Sequence, residues 1–578
     1  MLTMTRYAAT VLFAAILLIT SASHTLAQDH FAKIDALLKQ YSDFGLFQGS
    51  VLVSDRGKIY EKGFGLANKE WDIPNAPDTK FRLGSITKQF TATLILQLVE
   101  QGKIKLDGKI TDYLPDYRKD TGDKVTIQHL LTHTSGIPDY TNRPDFMSKI
   151  SRDPYSASDF VKKYASDDLE FEPGSKFSYD NGGYFILGAI IEKITGKTYE
   201  QNLREKIFDP LGMTDSGYDH SETILPKRAT GYGKLPTGFV NSAYMDMSLP
   251  YAAGSLYSTA RDLYKWDRSL YTDKVLSAAS RTLMFKPNLS NYGFGFIISE
   301  IPVGSSKIKV ISHSGGINGF ATLIVRLVDS QSAIILLSNV EATVSLSRIS
   351  QGITNILFDQ PYDSPKRSIA ETLMDTYAAK GTEAAKAQYR EIKATKAADY
   401  DMSELELRVL AARLIAAKKM NDAIEFLKLN TEAFPQSAGA EARLGGIYLT
   451  AGDKQNALVA AKKALEIDPK NAGAIGLMKR IEGPTAGDAK PSDKTALEQF
   501  VGEYPLVPGL VLTVTTEGGK LMGQATGQDK LELEQKSDLE FMISSVDAHI
   551  TFVKDDNGMV TGLVLEQGGQ RIESKKTK

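Results

Sequence analysis

The chain has 578 residues, of which 42% are hydrophobic and 24% charged, and its formal net charge is -2. At a loose prior of about 150 residues per domain, this length suggests about three domains and a leader. The near-neutral charge balance argues against a nucleic-acid-binding protein, which normally carries an excess of basic residues. The absence of cysteine excludes disulfides, thiolate zinc sites and a cysteine nucleophile.

The first 27 residues have the pattern of a secretory signal peptide. Arg6 supplies the positive charge, Val11 to Ile19 form a short apolar stretch, and Thr25-Leu26-Ala27 offers a small residue for cleavage. The alternative is a membrane anchor, but this stretch is shorter than the roughly 20 residues that cross a bilayer. No lipid-accepting cysteine follows, and no later segment has the pattern of a membrane span. We therefore predict a signal peptide over residues 1–27 and a mature protein in the periplasm or outside the cell.

Residues 28–360 have the pattern of an α/β domain. A short amphipathic helix is indicated near Phe31 to Tyr41, and the residues Ser54-Asp55-Arg56-Gly57 indicate a hairpin. Strand-like runs occur at both ends of the region, over Gly49 to Val53, Lys58 to Gly65, Tyr292 to Ser299, Ile308 to Ser312, Phe320 to Val328 and Ser332 to Leu337. Because helical patterns fill the middle, we predict one antiparallel sheet built from both ends, flanked by helices, with a helical insert.

The composition changes after a proline-containing linker at Asp359 to Lys366. Residues 366–482 are rich in Ala, Lys, Glu and Leu and repeat with a period of 34, so that Ala438-Gly439-Ala440 recurs as Ala472-Gly473-Ala474. This period and the small residues predict all-α tetratricopeptide-like repeats, which commonly bind a protein or peptide partner. The alternative is an unrelated helical bundle.

A second linker, Gly483 to Lys494, is rich in Gly, Pro, Ala and Ser. Beyond it, residues 495–578 contain short alternating or apolar runs separated by turn residues such as Gly518-Gly519 and Asp556-Asn557-Gly558. These runs predict a small all-β domain of six strands. The whole chain is therefore predicted to be multidomain, with an α/β, an all-α and an all-β part.

Ser85 and Lys88 give the first chemical signal. They lie three apart at the start of a segment whose apolar residues predict a buried helix, so their side chains would share one face. A serine hydroxyl needs a base to take its proton, and a buried lysine with a lowered pKa can act as one. The pair alone is a weak signal, since an exposed helix start with a solvated lysine has the same spacing.

Two further groups of residues strengthen this signal. Tyr179 and Asn181 follow a turn at Glu172-Pro173-Gly174, and we expect the phenol to relay a proton and the amide to hold a substrate carbonyl. We also expect Tyr179 to lose its proton more easily beside an ammonium group. His313 begins the run His313-Ser314-Gly315-Gly316 at the end of a predicted strand, where glycines allow a ligand to approach the backbone.

With these motifs, the chain resembles the serine β-lactamase and penicillin-binding-protein family, in particular class C β-lactamases and their D,D-peptidase and esterase relatives. The resemblance covers about residues 30 to 358 and rests on motifs in the expected order: Ser85-Ile86-Thr87-Lys88, Leu130 to Ile137, Tyr179-Asp180-Asn181, Pro210 to Met213, Ala253 to Ser258 and His313-Ser314-Gly315. It implies acylation of Ser85 by an amide or ester, with Lys88 and Tyr179 sharing the base role. It also implies an oxyanion hole formed by the backbone N–H groups of Ser85 and Gly316.

The third motif departs from the Lys-Thr-Gly of many β-lactamases because His313 stands in place of the lysine. The resemblance makes Asn181, His313, Ser314 and Gly315 the substrate-binding residues, with a small molecule or peptide as the substrate. A histidine is charged only part of the time, so we expect activity on a carboxylate-bearing substrate to fall near the imidazole pKa. The departure favours a peptidase or esterase over an efficient β-lactamase.

No cofactor or metal is expected. His129 and His133 lie four apart, but Leu130 occupies the position where a zinc protease has glutamate, so a structural role is the simpler interpretation. Two hypotheses remain for the whole chain. The first is a serine hydrolase, and the second is a penicillin-recognising scaffold or sensor that no longer hydrolyses and binds a protein through its repeats.

Overall fold

The computed structural model describes residues 28–577, apart from 144, 236–237, 342–345, 483–496, 508–509, 518–519, 527–529, 536–538, 544–547, 556–558 and 568–569. The predicted signal peptide and the predicted linker at Gly483 to Lys494 lie outside the described residues. The chain forms two compact units that meet in the sequence between Phe434 and Pro435.

The strands of the first unit are given in chain order, as β1 (Gly49–Asp55), β2 (Lys58–Phe64), β3 (Leu66–Asn68), β4 (Ile73–Pro74), β5 (Phe81–Arg82), β6 (Gly217–Tyr218), β7 (Tyr232–Leu235), β8 (Gly238–Asn241), β9 (Leu256–Ser258), β10 (Ile297–Val303), β11 (Ser306–Ile317), β12 (Phe320–Leu327), β13 (Ser332–Ser338), β14 (Arg367–Ser368) and β15 (Tyr400–Asp401).

The helices of this unit are α1 (residues 28–43), α2 (Thr87–Glu100), α3 (Ile110–Tyr113), α4 (Lys119–Gly122), α5 (Ile127–Leu131), α6 (Ala157–Tyr164), α7 (Asn181–Thr195), α8 (Tyr199–Leu203), α9 (Asp209–Leu211), α10 (Tyr251–Gly254), α11 (Ala260–Ser269), α12 (Ala278–Met284), α13 (Leu346–Leu357), α14 (Ile369–Lys380), α15 (Thr382–Thr395), α16 (Glu404–Ala416) and α17 (Met420–Ala433).

Six antiparallel strands form the central sheet in the order β10-β11-β12-β13-β1-β2. The pairing of β1 with β13 confirms that both ends of the domain contribute to one sheet. The predicted hairpin also forms, with Arg56 and Gly57 at φ values of 50° and 78° between β1 and β2. Positive φ at both central residues is the geometry whose twist matches that of the flanking strands.

Both faces of the sheet are covered, which explains why β1 and β13 are buried along their whole length. On one face, α1 and α13 pack apolar residues such as Leu38 and Ile353 against Val51 and Leu336. On the other face, the helical insert carries α2, α7 and α11, whose side chains join Leu52 and Ile335 in the larger core. The helical insert therefore lies against the sheet face on which the predicted site residues are found.

One predicted strand is wrong at its start. The run Tyr292 to Ser299 was expected to be extended throughout, but β10 begins only at Ile297. Gly295 has a φ of 75°, and a Cβ there would lie 2.9 Å from the backbone of Gln89. This loop therefore packs directly onto the start of α2, an approach that only a glycine permits.

The predicted helical region is helical where it is described. In the first unit α14 lies against α15 and α16 lies against α17, while the second unit begins with α18 (Ala438–Thr450), α19 (Lys454–Ile467) and α20 (Ala472–Glu482). The helices α16, α18 and α20 begin at Glu404, Ala438 and Ala472, 34 residues apart. The period therefore corresponds to the helices, while the tetratricopeptide assignment itself stays a prediction.

The last part of the chain is a barrel-like all-β domain of eight consecutive antiparallel strands. They are β16 (Gly502–Val507), β17 (Leu510–Glu517), β18 (Lys520–Ala525), β19 (Leu531–Gln535), β20 (Glu540–Ile543), β21 (Ala548–Lys554), β22 (Val560–Gln567) and β23 (Gln570–Lys575). The first and last strands meet, since Ser574 Oγ donates to Pro505 O at 2.8 Å. The sequence prediction of six strands missed β16 and β23, which complete the barrel.

The described residues contain no helix with both the length and the apolarity that crossing a bilayer requires.

Candidate active site

Ser85 lies in a short 3-10 turn, Gly84–Ile86, immediately before α2. The turn is pressed against β11, because a Cβ on Gly84 would lie 2.8 Å from Gly316 O and 2.9 Å from Gly316 N. Gly84 also adopts a φ of 57°, which disfavours a side chain. Thr322 Oγ1 fixes the approach by donating to Leu83 O at 2.7 Å. The turn that carries Ser85 therefore packs against the backbone of Gly316, the second donor of the predicted oxyanion hole.

Lys88 is fully buried in the first turn of α2, beside Ser85. Its Nζ lies 3.0 Å from Ser85 Oγ, 2.8 Å from Asn181 Oδ1 and 3.0 Å from Ala253 O. Burial lowers the pKa of Lys88 to about 7, against the opposing pull of Asp139 and Asp180. A large share of the amine is therefore neutral at physiological pH and able to accept a proton.

Asn181 is held by a residue that the sequence analysis did not single out. Asp139 accepts from Asn181 Nδ2 at 3.0 and 3.3 Å, and is itself held by Thr141 Oγ1 at 2.7 Å. The amide is thereby oriented with Oδ1 toward Lys88. Asn181 was expected to hold a substrate carbonyl, whereas in this arrangement its amide connects Asp139 to Lys88.

Tyr179 lies above Lys88, whose Nζ is 4.8 Å from the centre of the phenol ring. The Tyr179 hydroxyl is buried and makes no hydrogen bond of normal geometry, although the Ser85 hydroxyl lies close enough to act on it. Burial raises its pKa, and the nearby hydroxyl of Ser85 lowers it only in part. The expectation of an easily ionised phenol is therefore wrong, because burial disfavours the phenolate more than the Ser85 hydroxyl favours it.

His313 is buried on β11, and its ring is held on both sides. Tyr292 Oη lies 2.9 Å from Nε2, and the Ser314 carbonyl lies 2.6 Å from Nδ1. Burial, helped by Lys88, lowers the pKa of His313 to about 4. The expectation that its charge changes within the physiological range is therefore wrong. The imidazole is neutral between pH 5 and 8, with Nδ1 donating to the carbonyl and Nε2 accepting from Tyr292.

The strand that carries His313 extends past its neighbour. The pairing of β10 with β11 ends at Ile297 and Ser312, so residues 313–317 pair only with β12 on the other side. Along this extension His313 and Gly315 are buried, while Ser314 and Gly316 are exposed. A Cβ on Gly315 would lie 1.9 Å from Leu83 O, so this position also requires glycine. Three of the four predicted binding residues, His313, Ser314 and Gly315, thus lie on one strand edge beside the turn that carries Ser85.

His133 is the other residue whose place in the site the sequence did not reveal. It is buried, accepts from the backbone N–H of Asp180 at 3.1 Å, and stacks on Tyr179 with ring centres 4.1 Å apart. Burial lowers its pKa well below the usual value, so it is a neutral support for the Tyr179 ring. His129 instead accepts from the Thr126 N–H at 3.3 Å at the start of α5. Both histidines therefore have structural roles.

Comparison with known proteins identifies the family to which the chain belongs. The Beta-lactamase family model matches residues 34–350, more than half of the chain, and the chain belongs to this family. Residues 486–576 match a second family model, described as a domain of unknown function (DUF3471).

Two curated relatives and one solved structure illustrate the likeness. Penicillin-binding protein 4* of Bacillus subtilis (strain 168) is 32% identical over 59% of this chain and 79% of its own length. The teichoic acid D-alanine hydrolase of Staphylococcus aureus is 30% identical over 45% of this chain and 60% of its own length. The crystal structure of D-amino acid amidase from Ochrobactrum anthropi SV3 is 29% identical, covers 57% of this chain and 98% of that chain, and has a TM-score of 0.49.

Proposed function

We propose that this protein is an exported serine hydrolase that acts through an acyl-enzyme on Ser85, of the peptidase or esterase type. The observation that carries the proposal is the contact between Lys88 Nζ and Ser85 Oγ at 3.0 Å, together with a lysine pKa of about 7. A buried amine that is neutral at working pH is what a serine nucleophile needs in the absence of a histidine base.

The proposed reaction has two halves. In the first, Ser85 Oγ attacks the carbonyl carbon of the substrate while Lys88 Nζ takes the hydroxyl proton. The oxygen that becomes negative is stabilised by the backbone N–H groups of Ser85 and Gly316. The Tyr179 phenol is protonated in the resting enzyme. It passes its proton to the leaving group and is reprotonated from Lys88. In the second half, water attacks the acyl-Ser85 ester by the same proton route and releases the acid.

The acyl group that we propose is a D-amino acyl ester or amide. Support comes from the name of the relative, a teichoic acid D-alanine hydrolase, and from the neutral His313. A site without a fixed cation at that position has little to gain from a substrate carboxylate, so an uncharged carbonyl substituent fits better. A β-lactam is then expected to acylate the enzyme slowly.

Export is part of the same proposal. The leader over residues 1–27 has the charge, apolar stretch and cleavage site of a secretory signal. Two curated relatives have names that refer to penicillin binding and to teichoic acid. We therefore propose a periplasmic or secreted location.

The test is to follow the covalent intermediate by intact-protein mass spectrometry. Mixing the mature protein with nitrophenyl acetate, or with a D-alanyl ester, should add one acyl group, and Ser85→Ala should abolish both the adduct and turnover. Ser148→Ala, which changes an exposed serine, should keep both. An adduct that persists in Ser85→Ala would contradict the proposal.

A second candidate function is a penicillin-recognising scaffold that has stopped hydrolysing. The regular 34-residue spacing of α16, α18 and α20 favours it, since helical repeats commonly offer a surface to a partner. Such a scaffold would still be labelled by a fluorescent penicillin but would not turn over an ester. Multiple turnovers of nitrophenyl acetate that depend on Ser85 would exclude it.

A further inference from the structure

A cavity lies in the helical insert, and none of the proposed catalytic or substrate-binding residues lines it. Its volume is about 390 Å³, and it lies among α7, α8, α10 and the segment around β6. This size falls within the range of about 300–1,000 Å³ that is typical of small-molecule sites.

Aromatic rings form much of the cavity wall. Tyr251 has its ring centre 4.7 Å from Phe185 and 5.2 Å from Tyr199, and Tyr218 lies 6.4 Å from Tyr251. Tyr155 completes the wall at the side of α6. Rings arranged around one space attract organic cations through their negative faces and exclude water from them.

The charged groups that line this cavity are almost all negative. Glu192, Glu200, Glu222 and Asp246 line it, and no lysine or arginine does so among the described residues. A fifth carboxylate, Asp219, is already neutralised by Arg82 and Arg228 at 2.6 and 2.7 Å. His220 lies 2.9 Å from Glu200 and accounts for one charge at most. The cavity therefore keeps an excess of negative charge.

Tyr251 provides an independent indication of a missing partner. Its side chain lines the cavity, the residue is only 7% exposed, and the buried hydroxyl makes no hydrogen bond of normal geometry. Burial raises the pKa of this phenol, and the charge of Glu192 and a weak hydrogen-bond interaction with that carboxylate raise it further. Because the hydroxyl has only this weak interaction, a ligand that contacts its oxygen would satisfy it.

We propose that this cavity, lined by Tyr251, Tyr218, Phe185 and Glu192, binds a primary organic ammonium group. The ammonium has three donors, which suit Glu192 Oε2 and Tyr251 Oη, while the organic part packs on the rings. Glu192 Oε1 is already occupied, because it accepts from Tyr199 N at 2.7 Å, so one carboxylate oxygen remains for the ligand. A carboxylate ligand is repelled by the same charges.

The cavity is distinct from the site at Ser85 but shares two elements with it. Glu192 lies 11 residues beyond Asn181 on α7, which is about 16 Å along a helix. Tyr251 begins α10, and the same helix supplies Ala253 O to Lys88. Binding at the cavity does not require the acyl-enzyme, so it can be measured in a protein that cannot react.

The experiment is titration calorimetry of the Ser85→Ala protein with 2-phenylethylamine and with its neutral analogue, 2-phenylethanol. The amine should bind at least about tenfold more tightly, which is the discrimination expected of one charge-assisted contact. Glu192→Gln keeps the acceptor for Tyr199 N and removes the charge, and should weaken amine binding about tenfold. Glu205→Gln, an exposed carboxylate outside the cavity, is the matched control and should leave binding unchanged.

Tyr251→Phe separates ligand binding from folding. Removing a buried hydroxyl that makes no well-formed hydrogen bond should leave the melting temperature nearly unchanged, while amine binding weakens severalfold. The proposal is overturned if the amine and the alcohol bind equally, if no amine binding is detected, or if Glu205→Gln weakens binding as much as Glu192→Gln. Because all measurements use Ser85→Ala, they are independent of whether Ser85 forms an acyl-enzyme.

Discussion

The carboxylate of Asp139 accepts two hydrogen bonds from the Asn181 amide, and this fixes the opposite end of that amide, Oδ1, 2.8 Å from Lys88 Nζ. A flipped amide would present N–H groups to the lysine, which has only donors when charged. Asp139 also raises the pKa of Lys88 through its charge. Asp139 is therefore a positioning residue for the proposed base, although it does not touch Ser85.

Replacing Asp139 tests that relationship. Asp139→Ala should lower kcat about 10- to 100-fold, because the amine loses its fixed orientation. The acid limb of the pH profile should move to lower pH, because a charge that raises the lysine pKa is gone. Asp145→Ala removes a half-exposed carboxylate from the same loop and should change neither quantity. A loss of rate without movement of the limb would indicate a structural role only.

The contact between Gly84 and Gly316 gives a second prediction. Gly84→Ala should cut kcat about 100- to 1,000-fold, because a Cβ 2.8 Å from Gly316 O pushes the two oxyanion donors apart. Gly212→Ala is a matched control, since Gly212 has a similar φ of 64° but open space around it. Both variants should lose stability from the positive φ, and Gly84→Ala should lose more, because only its Cβ meets backbone atoms. Equal activity in the two variants would show that the contact does not set the oxyanion hole.

The pairing of Ser85 with Lys88 and the hairpin of the central sheet could be predicted from the sequence, because both depend on residues close together in the chain. The three-residue spacing of Ser85 and Lys88 places both on one helical face, and the hairpin at Arg56 and Gly57 follows from turn preferences. What sequence could not provide is burial. The pKa values of Lys88, Tyr179 and His313 depend on the groups packed around them, and two of the three expectations about charge were wrong for that reason.

Contacts between residues that lie far apart in the sequence could not be predicted either. Asp139 contacts Asn181 across 42 residues, and nothing in either local pattern indicates it. The strands β16 and β23 were missed because each lies at the edge of the predicted region, and the contact between them is visible only in the fold. The sequence favours a structural role for His133 over metal binding, but only the fold shows that the side chain it packs against is Tyr179.

Substituting the lysine tests the proposed base itself. Lys88→Arg keeps a long cationic side chain but cannot lose its proton at accessible pH, so acylation should fall by about 1,000-fold or more. Lys193→Arg on the exposed face of α7 is the control and should retain full activity. The measurement is the rate of nitrophenol release in the first turnover. Retention of more than a tenth of the wild-type rate in Lys88→Arg would argue for another base.

The neutral state of His313 predicts how charge recognition depends on pH. With a pKa of about 4, the imidazole is uncharged from pH 5 to 8 and gives a carboxylate no special attraction. The ratio of kcat/KM for an ester with a free carboxylate to that for its carboxamide analogue should therefore stay constant over this range. A ratio that rises as the pH falls from 7 to 5 would show that His313 becomes charged there.

The most direct measurement of the central claim is the pH dependence of Ser85 acylation under single-turnover conditions. Lys88 must be neutral to take the serine proton, and its pKa is about 7. The acylation rate should therefore be low at pH 5, reach half its maximum near pH 7 and level off above pH 8. A rate that is constant from pH 5 to 9, or that rises only near pH 10 as for a solvated lysine, would contradict the account.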